Sequence, residues 1–426
     1  MSTIPTLPIK KKSLWGKLGP GLITGAADDD PSGIATYSQV GAQFGYDILW
    51  TAFFTFPLMV AIQTVSACIG RVTGQGLAAN IRRHYPPWLL YGIVGLLLIA
   101  NTINIAADIG AMGAALKLLI GGPAHWYVIA FGLLSLLLQI FLPFPRYAPL
   151  LKTMTLMLLA YVATILVVKV PWNEVLFKTL LPTISFKANY LIAVVAVFGT
   201  TISPYLFFWQ ASQEVEDQRA AIGEEPLFEA PEQAVGHLRR IRMDTYIGMG
   251  FSNLIAFFIM LTAVITLHAH GFTDIQTSAQ AAEALRPLAG EFAFALFTAG
   301  IVGTGLLAVP ILAGSAAYAV AEALEWRIGL GLDLLQAKGF YMIVSIATLL
   351  GVLLNFTAID PIKALFWSAV INGVISVPIM AVMMLMAARI DIMGDFAIVN
   401  WTRILGWVST ASMAIIVLAM FATWEP

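Results

Sequence analysis

Apolar stretches of about 20 residues recur along the whole chain, each long enough to cross a hydrocarbon core roughly 30 Å thick. Eleven are read from the sequence, near 17–44, 47–70, 88–119, 125–143, 147–168, 187–213, 243–267, 291–321, 339–356, 361–388 and 403–424. In lipid every backbone polar group must find its partner inside the protein. The expected fold is therefore an all-α polytopic membrane protein with eleven transmembrane helices. Composition agrees: 11% of the residues are charged, against about 25% in a soluble domain, which excludes a soluble enzyme. A formal net charge of −1 offers no basic footprint for nucleic acid. The same hydrophobicity excludes disorder, and a single cysteine, Cys68, excludes a disulfide or Cys-based metal framework.

The distribution of Lys and Arg predicts the orientation. With the N-terminus cytoplasmic, 17 of them fall inside, including Lys10, Lys11, Lys12, Lys17, Arg71 and Lys152. Six fall outside, at Lys117, Lys169, Lys178, Lys187, Arg286 and Lys363. An odd number of spans then leaves the C-terminus extracytoplasmic. The polar start and its three lysines predict no cleavable signal peptide, and the short N-terminus suits a bacterial cytoplasmic (inner) membrane. The acidic connection 214–242 reads as a solvated loop with short helices, a regulatory or metal-collecting role being the alternative. Its end, Arg239-Arg240-Ile241-Arg242, reads as an inside anchor. Trp50, Trp126, Trp172 and Trp401 fall at span ends and read as interface belts.

Two spans carry their own interruption. The first reads Gly25-Ala26-Ala27-Asp28-Asp29-Asp30-Pro31-Ser32-Gly33-Ile34. Three carboxylates in mid-membrane cost ~2.5–3.5 kcal/mol each even on lenient insertion scales. Pro31 lacks an N–H and clashes with the preceding turn, and Gly33 loosens the backbone. This predicts a break at 27–33, with unwound backbone lining a polar cavity and its free carbonyls available as ligands. Placing the acids at a membrane boundary instead would leave residues 34–44, too few to span. The sixth span reads Val197-Phe198-Gly199-Thr200-Thr201-Ile202-Ser203-Pro204-Tyr205-Leu206, a second proline behind small polar residues. Taken alone, Pro204 would be a kink. The two breaks nevertheless stand five spans apart, at matching positions of two five-helix halves, approximately 17–168 and 187–388, with an additional helix at 403–424. That pairing predicts a single transmembrane transporter domain built as a 5+5 inverted repeat, its site at the repeat interface.

These residues resemble a known family. Asp30-Pro31-Ser32-Gly33 is similar to the Asp-Pro-Gly-Asn signature of helix 1 in Nramp (natural resistance-associated macrophage protein) divalent-metal transporters. Thr200-Thr201-Ile202-Ser203-Pro204-Tyr205 resembles that family's helix 6 motif, Ala-Thr-Val-Met-Pro-His. The eleven-span plan matches over essentially the whole chain. The resemblance implies a LeuT-like (APC) fold with discontinuous helices 1 and 6, an alternating-access mechanism and no cofactor. It also implies the ligands of the transported cation: the Asp30 carboxylate and the backbone carbonyls of Ala27 and Thr200. The family's asparagine ligand corresponds to Gly33 and its methionine ligand to Ser203.

The departures shift the expected chemistry. A thioether favours softer transition metals, and a hydroxyl in its place leaves only hard oxygen ligands. Losing the asparagine side chain is expected to enlarge the cavity. A small, hard ion that keeps several waters and binds through one or two carboxylates is Mg²⁺. The pattern is similar to the Nramp-related magnesium transporter branch, with Mn²⁺ also expected to pass. Asp28 and Asp29 are expected to act through water or to line the access path. Ser203 reads either as a ligand or as a packing hydroxyl bonded back to the Gly199 carbonyl.

Proton coupling is not expected. The family's helix 6 histidine corresponds to Tyr205, and a phenol does not cycle near neutrality. On the third span Asn104 takes the place of the family's aspartate and Ala107 that of its glutamate. Asp108 stands one residue further on, about 100° around the helix; its alternatives are a relay or a pore- or interface-facing carboxylate. Membrane potential alone gives a divalent cation about 4.6 kcal/mol per 100 mV, twice the single-charge figure. Asn372, on the tenth span, lies near the family's occlusion glutamine and otherwise reads as an interhelical hydrogen bond.

The expected function is import of partly hydrated Mg²⁺, and of Mn²⁺, with the lipid bilayer as the protein's other partner. The alternatives are a proton-coupled Mn²⁺/Fe²⁺ transporter and an organic-substrate symporter of the same fold, whose carboxylate substrates three acids would repel. A membrane-embedded hydrolase would need a base beside Ser203, and no histidine accompanies it in the sequence.

Overall fold

The computed structural model describes residues 20–142, 146, 153–357 and 360–424. The predicted anchors Lys10, Lys11, Lys12, Lys17 and Lys152, and the edges of the first, fourth and fifth spans, lie outside the described residues. Each of the eleven apolar stretches carries helix. The first is split into α1 (Pro20–Asp28) and α2 (Pro31–Phe44). Then follow α3 (Trp50–Thr73), a short α4 (Leu77–His84), α5 (Pro87–Ile120), α6 (Ala124–Phe141) and α7 (Leu159–Val167). A short α8 (Trp172–Leu180) leads into the split sixth span, α9 (Ala188–Thr201) and α10 (Pro204–Ala220). The remainder is α11 (Ala234–Thr266), α12 (Ala293–Ala323), α13 (Lys338–Leu354), α14 (Pro361–Ala387) and α15 (Asn400–Ala422). Among the described residues, eight helical stretches are long and apolar enough to cross a membrane, with Thr153–Val167 and Lys338–Leu354 as shorter apolar helices.

Both split spans break where proline dictates. Pro31 and Pro204 each sit at the first position of the second half, where a missing N–H costs nothing and the fixed φ suits a helix start. The first break is tighter than the sequence predicts. Helix persists through Asp28 and resumes at Pro31, because Asp30 caps α2: its Oδ1 accepts from the Gly33 N–H at 2.7 Å.

Helices of the bundle approach closely at small residues. A Cβ on Gly25 would overlap the Gly248 backbone of α11, and one on Gly199 would overlap α14 at Ala369 and Gly373. Such close approach without side chains is the packing solution of helices in lipid. Gly303 and Gly305 of α12 serve the same end, against Met154 and Met112.

Basic residues gather at one end of the bundle through ion pairs: Arg71 with Glu224 at 2.9 Å, Arg240 with Glu214, and Arg82 with Glu325. Two expectations are corrected here. Residues 214–220 are not loop but the last turns of α10, and Glu214 is fully buried against Arg240. Within the segment expected to anchor the inside face, Arg240 also has an internal partner in Glu214. Glu216 accepts from the Leu330 N–H at 2.9 Å and from the Tyr318 hydroxyl. Asp217 and the more distal acids Glu225, Glu229 and Glu232 are exposed. Trp50 departs from its expected belt role as well: it is buried, and its Nε1–H donates to Tyr190 at 2.8 Å. Trp126, Trp172 and Trp401 are exposed, as an interface position requires.

Candidate metal site at the paired helix breaks

The two breaks face each other in crossed fashion. The end of α1 meets the start of α10, where the Tyr205 hydroxyl donates to the Ala27 carbonyl at 2.9 Å. The start of α2 meets the end of α9, where the Tyr37 and Thr201 hydroxyls lie 3.1 Å apart. A helix terminus leaves its last four carbonyls without intrahelical donors. Those of Ala27 and Thr200 are among them, and they accept from the Tyr205 and Ser203 hydroxyls respectively.

Asp30 lies between them. Its Oδ1 is engaged by the Gly33 N–H, and its Oδ2 is 3.5 Å from the Tyr205 hydroxyl. The residue is 3% exposed, so the carboxylate faces neither lipid nor open water. The α2 N-terminus, with its partial positive charge, supports a carboxylate there. One oxygen thus organises the helix, and the other remains available to a cation.

The three adjacent acids part company. Asp28 and Asp29 turn toward α11, where the Ser252 hydroxyl is 2.5 Å from Asp28 Oδ2 and 3.2 Å from Asp29 Oδ1. Both are buried, which fits a packed contact rather than an exposed access path. Along the same face of α11, at four-residue steps, Asp244 accepts from the Gly21 and Leu22 N–H groups at 2.7 and 3.2 Å, and Gly248 touches α1. The sequence reading missed this clasp. Its signal is the Asp244, Gly248, Ser252 spacing, which puts two polar groups and one small residue on one helical stripe.

Other predicted residues are placed as follows. The Ser203 hydroxyl donates to the Gly199 and Thr200 carbonyls, each at 2.8 Å, so it serves the packing alternative. At Gly33 the neighbouring atoms stand close to the backbone. A Cβ there would lie 3.3 Å from the Asp28 carbonyl of α1, Thr200 Oγ1 of α9 and the Tyr37 ring of α2 itself. Ser32 anchors α2 to α14 through the Leu365 carbonyl (3.0 Å) and Ser368 (3.2 Å). Asn372 lies one turn beyond Ser368, buried, its Oδ1 without a hydrogen-bond partner among the described residues. Asn104 and Asp108 of α5 are fully buried, and none of their four side-chain polar atoms finds a partner among the described residues.

A cavity of about 560 Å³ opens beside α2 and α9, lined by Gln39, Gln43, Asn189, Asp274 and Lys363, and reaches inward to Ala35 in the second turn of α2. Among the described residues, no three His, Cys, Asp or Glu side chains are grouped to hold a metal, in the 214–242 segment or at the breaks. The oxygens at the breaks are instead a mixed set of carboxylate and carbonyl groups, suited to a hard cation that retains water.

Comparison with known proteins gives the following. The description "Nramp: Natural resistance-associated macrophage protein-like" matches residues 21–423. The divalent metal cation transporter MntH of Klebsiella pneumoniae (strain 342) is 26% identical over 401 residues, covering 92% of this chain and 91% of that protein. MntH of Deinococcus radiodurans is 26% identical over 418 residues, covering 96% and 89%. Among solved structures, the Eremococcus coleocola manganese transporter superposes with a TM-score of 0.73 at 18% identity, over 99% of this chain and 88% of that one. Mhp1, a nucleobase-cation-symport-1 family transporter, superposes with a TM-score of 0.60 at 11% identity, over 96% and 92%.

Proposed function

The chain belongs to the Nramp family, and from that premise we propose that it imports partly hydrated Mg²⁺, with Mn²⁺ as a second substrate, by alternating access and without moving protons. The family's members are divalent-metal transporters rather than enzymes, which removes the hydrolase alternative. Carriage of a divalent cation follows from the family, and no cofactor is needed. The finer reading rests on one observation. The groups offered at the paired breaks are oxygens alone, Asp30 Oδ2 and the Ala27 and Thr200 carbonyls, with Ser203 and Gly33 where a thioether and an amide would stand.

Hard oxygens do not discriminate against Mg²⁺ as sulfur does. Tyr205 occupies the position of the family's histidine and is hydrogen-bonded to a backbone carbonyl, which suits a fixed wall better than a proton carrier. We read residues 17–168 and 187–388 as inverted repeats, with 403–424 outside them. We place the protein in a bacterial inner membrane with its N-terminus, and the Arg71–Glu224 and Arg240–Glu214 end, in the cytoplasm.

Uptake into proteoliposomes with Mg²⁺, Mn²⁺ and Ca²⁺ and an internal pH dye tests the reading. Mg²⁺ and Mn²⁺ enter without a pH change, and Asp30→Ala abolishes uptake. Saturable Mn²⁺ or Fe²⁺ uptake that excludes Mg²⁺, or acidification that tracks metal entry, overturns it.

A further inference from the structure

Asp108 has no assigned task in the mechanism above, yet its setting is unusual. It is fully buried on α5, a helix other than the two broken spans, and both carboxylate oxygens lack a hydrogen-bond partner among the described residues. A buried carboxylate left unpaired is costly in any interior, and more so within a membrane. Among the described residues no Lys, Arg or His pairs with it. The neighbouring element is the start of α2, which packs against α5 and brings Ser32 and the Asp30 carboxylate near it. The Tyr205 hydroxyl lies 3.5 Å from Asp30 Oδ2. Four residues earlier on the same face of α5, Asn104 presents an amide with neither end partnered. Asn101, a further turn back, donates to the Leu312 carbonyl at 2.9 Å and leaves its own Oδ1 free among the described residues. Seven residues span about 10 Å of helix, so a strip of unpaired oxygens runs along α5 away from the break.

We infer that Asp108 is a second anionic anchor for the transported divalent cation, acting with Asp30 from the opposite wall, and that Asn104 and Asn101 continue that wall as the track along which the hydrated ion moves. The inference rests on the reading of the helix breaks as the cation site. Its logic is charge and hydration. Two carboxylates on separate helices match the two charges of one cation, whereas Asp30 alone leaves a net positive charge in low dielectric. An ion that keeps its inner waters needs outer acceptors for their hydrogens, and the carboxylate and amide oxygens of α5 would supply them. A cation held between α5 and the start of α2 would also couple ion occupancy to the position of the broken span.

The test uses full-length protein, with Mg²⁺ and Mn²⁺ as probes, in two measurements: the rise in melting temperature that each metal produces, and the concentration dependence of uptake. For Asp108→Asn the inference expects the metal-dependent rise to shrink and KM for both ions to increase about 10–100-fold, as loss of an outer partner does at metal sites. Asp108→Glu, which keeps the charge, recovers part of both. If Asp108 merely caps α2, Asp108→Asn lowers the melting temperature of the metal-free protein and leaves the metal-dependent rise and KM unchanged, which overturns the inference. Wild-type KM in Asp108→Asn beside a dead Asp30→Ala overturns it while leaving the proposed function intact. Failure of the wild type to take up Mg²⁺ sinks the substrate reading instead, and the Mn²⁺ arm then decides the role of Asp108.

Discussion

The Tyr205 hydroxyl donates a 2.9 Å hydrogen bond to the carbonyl of Ala27, tying the first turn of α10 to the last turn of α1. That carbonyl is one of the oxygens expected to hold the cation, so the phenol and the ion compete for its electrons. The same hydroxyl lies 3.5 Å from Asp30 Oδ2, which puts it at the centre of the oxygen set rather than beside it.

Tyr205→Phe removes the competing donor and keeps the ring. A net hydrogen bond is worth about 0.5–1.5 kcal/mol. Apparent KM for Mg²⁺ is therefore expected to fall about two- to tenfold, measured by uptake titration in proteoliposomes. A raised KM would show that the hydroxyl helps the ion, and an unchanged KM that the two do not compete.

Ser203 separates packing from coordination. Its hydroxyl is spent on the Gly199 and Thr200 carbonyls, so Ser203→Ala should keep Mg²⁺ uptake and cost about 0.5–1.5 kcal/mol of stability. Ser203→Met brings a soft thioether to the break and should tighten Mn²⁺ and Cd²⁺ binding relative to Mg²⁺. Calorimetric titration with each ion distinguishes the two variants.

Ser252 supplies one hydroxyl hydrogen to two buried carboxylates, Asp28 and Asp29. Ser252→Ala leaves both without that donor in a membrane interior. The expected loss is about 1–3 kcal/mol, read as a lower melting temperature in detergent. Compensation by Asp28→Asn in the double variant is expected, since one buried charge is then gone; a Ser252→Ala single variant as stable as wild type would refute the clasp on α1.

At the other end of the bundle, Glu214 and Arg240 form a pair whose acid is fully buried. Arg240→Ala strands that carboxylate and should cost about 3–5 kcal/mol, the usual penalty for breaking a buried pair. Glu214→Gln with Arg240→Met should recover most of it. Equal thermal stability of wild type and Arg240→Ala contradicts the pairing.

How much was legible in the sequence follows the range of each interaction. Proline at 31 and at 204 fixes a break locally, since the missing N–H and the ring clash need no partner, and both breaks lie where those residues stand. Eleven apolar stretches had to become helix for the same reason: a backbone in lipid satisfies itself or does not form. Asp30 as the cap of α2 is likewise a short-range matter, settled with Gly33 three residues away.

The destinations of the other polar groups were decided only in three dimensions. Three consecutive aspartates are indistinguishable by sequence, yet Ser252, more than two hundred residues later, draws Asp28 and Asp29 to one wall while Tyr205 attends Asp30 on another. Gly33 is closely surrounded by Asp28, Thr200 and Tyr37, neighbours that only the folded chain brings to it. Glu214 looked solvated and is buried, because Arg240 meets it across the bundle. Hydropathy and backbone chemistry act between neighbours in the chain and so are written in it; hydrogen bonds and charge pairs act between surfaces, and folding alone chooses which surfaces meet.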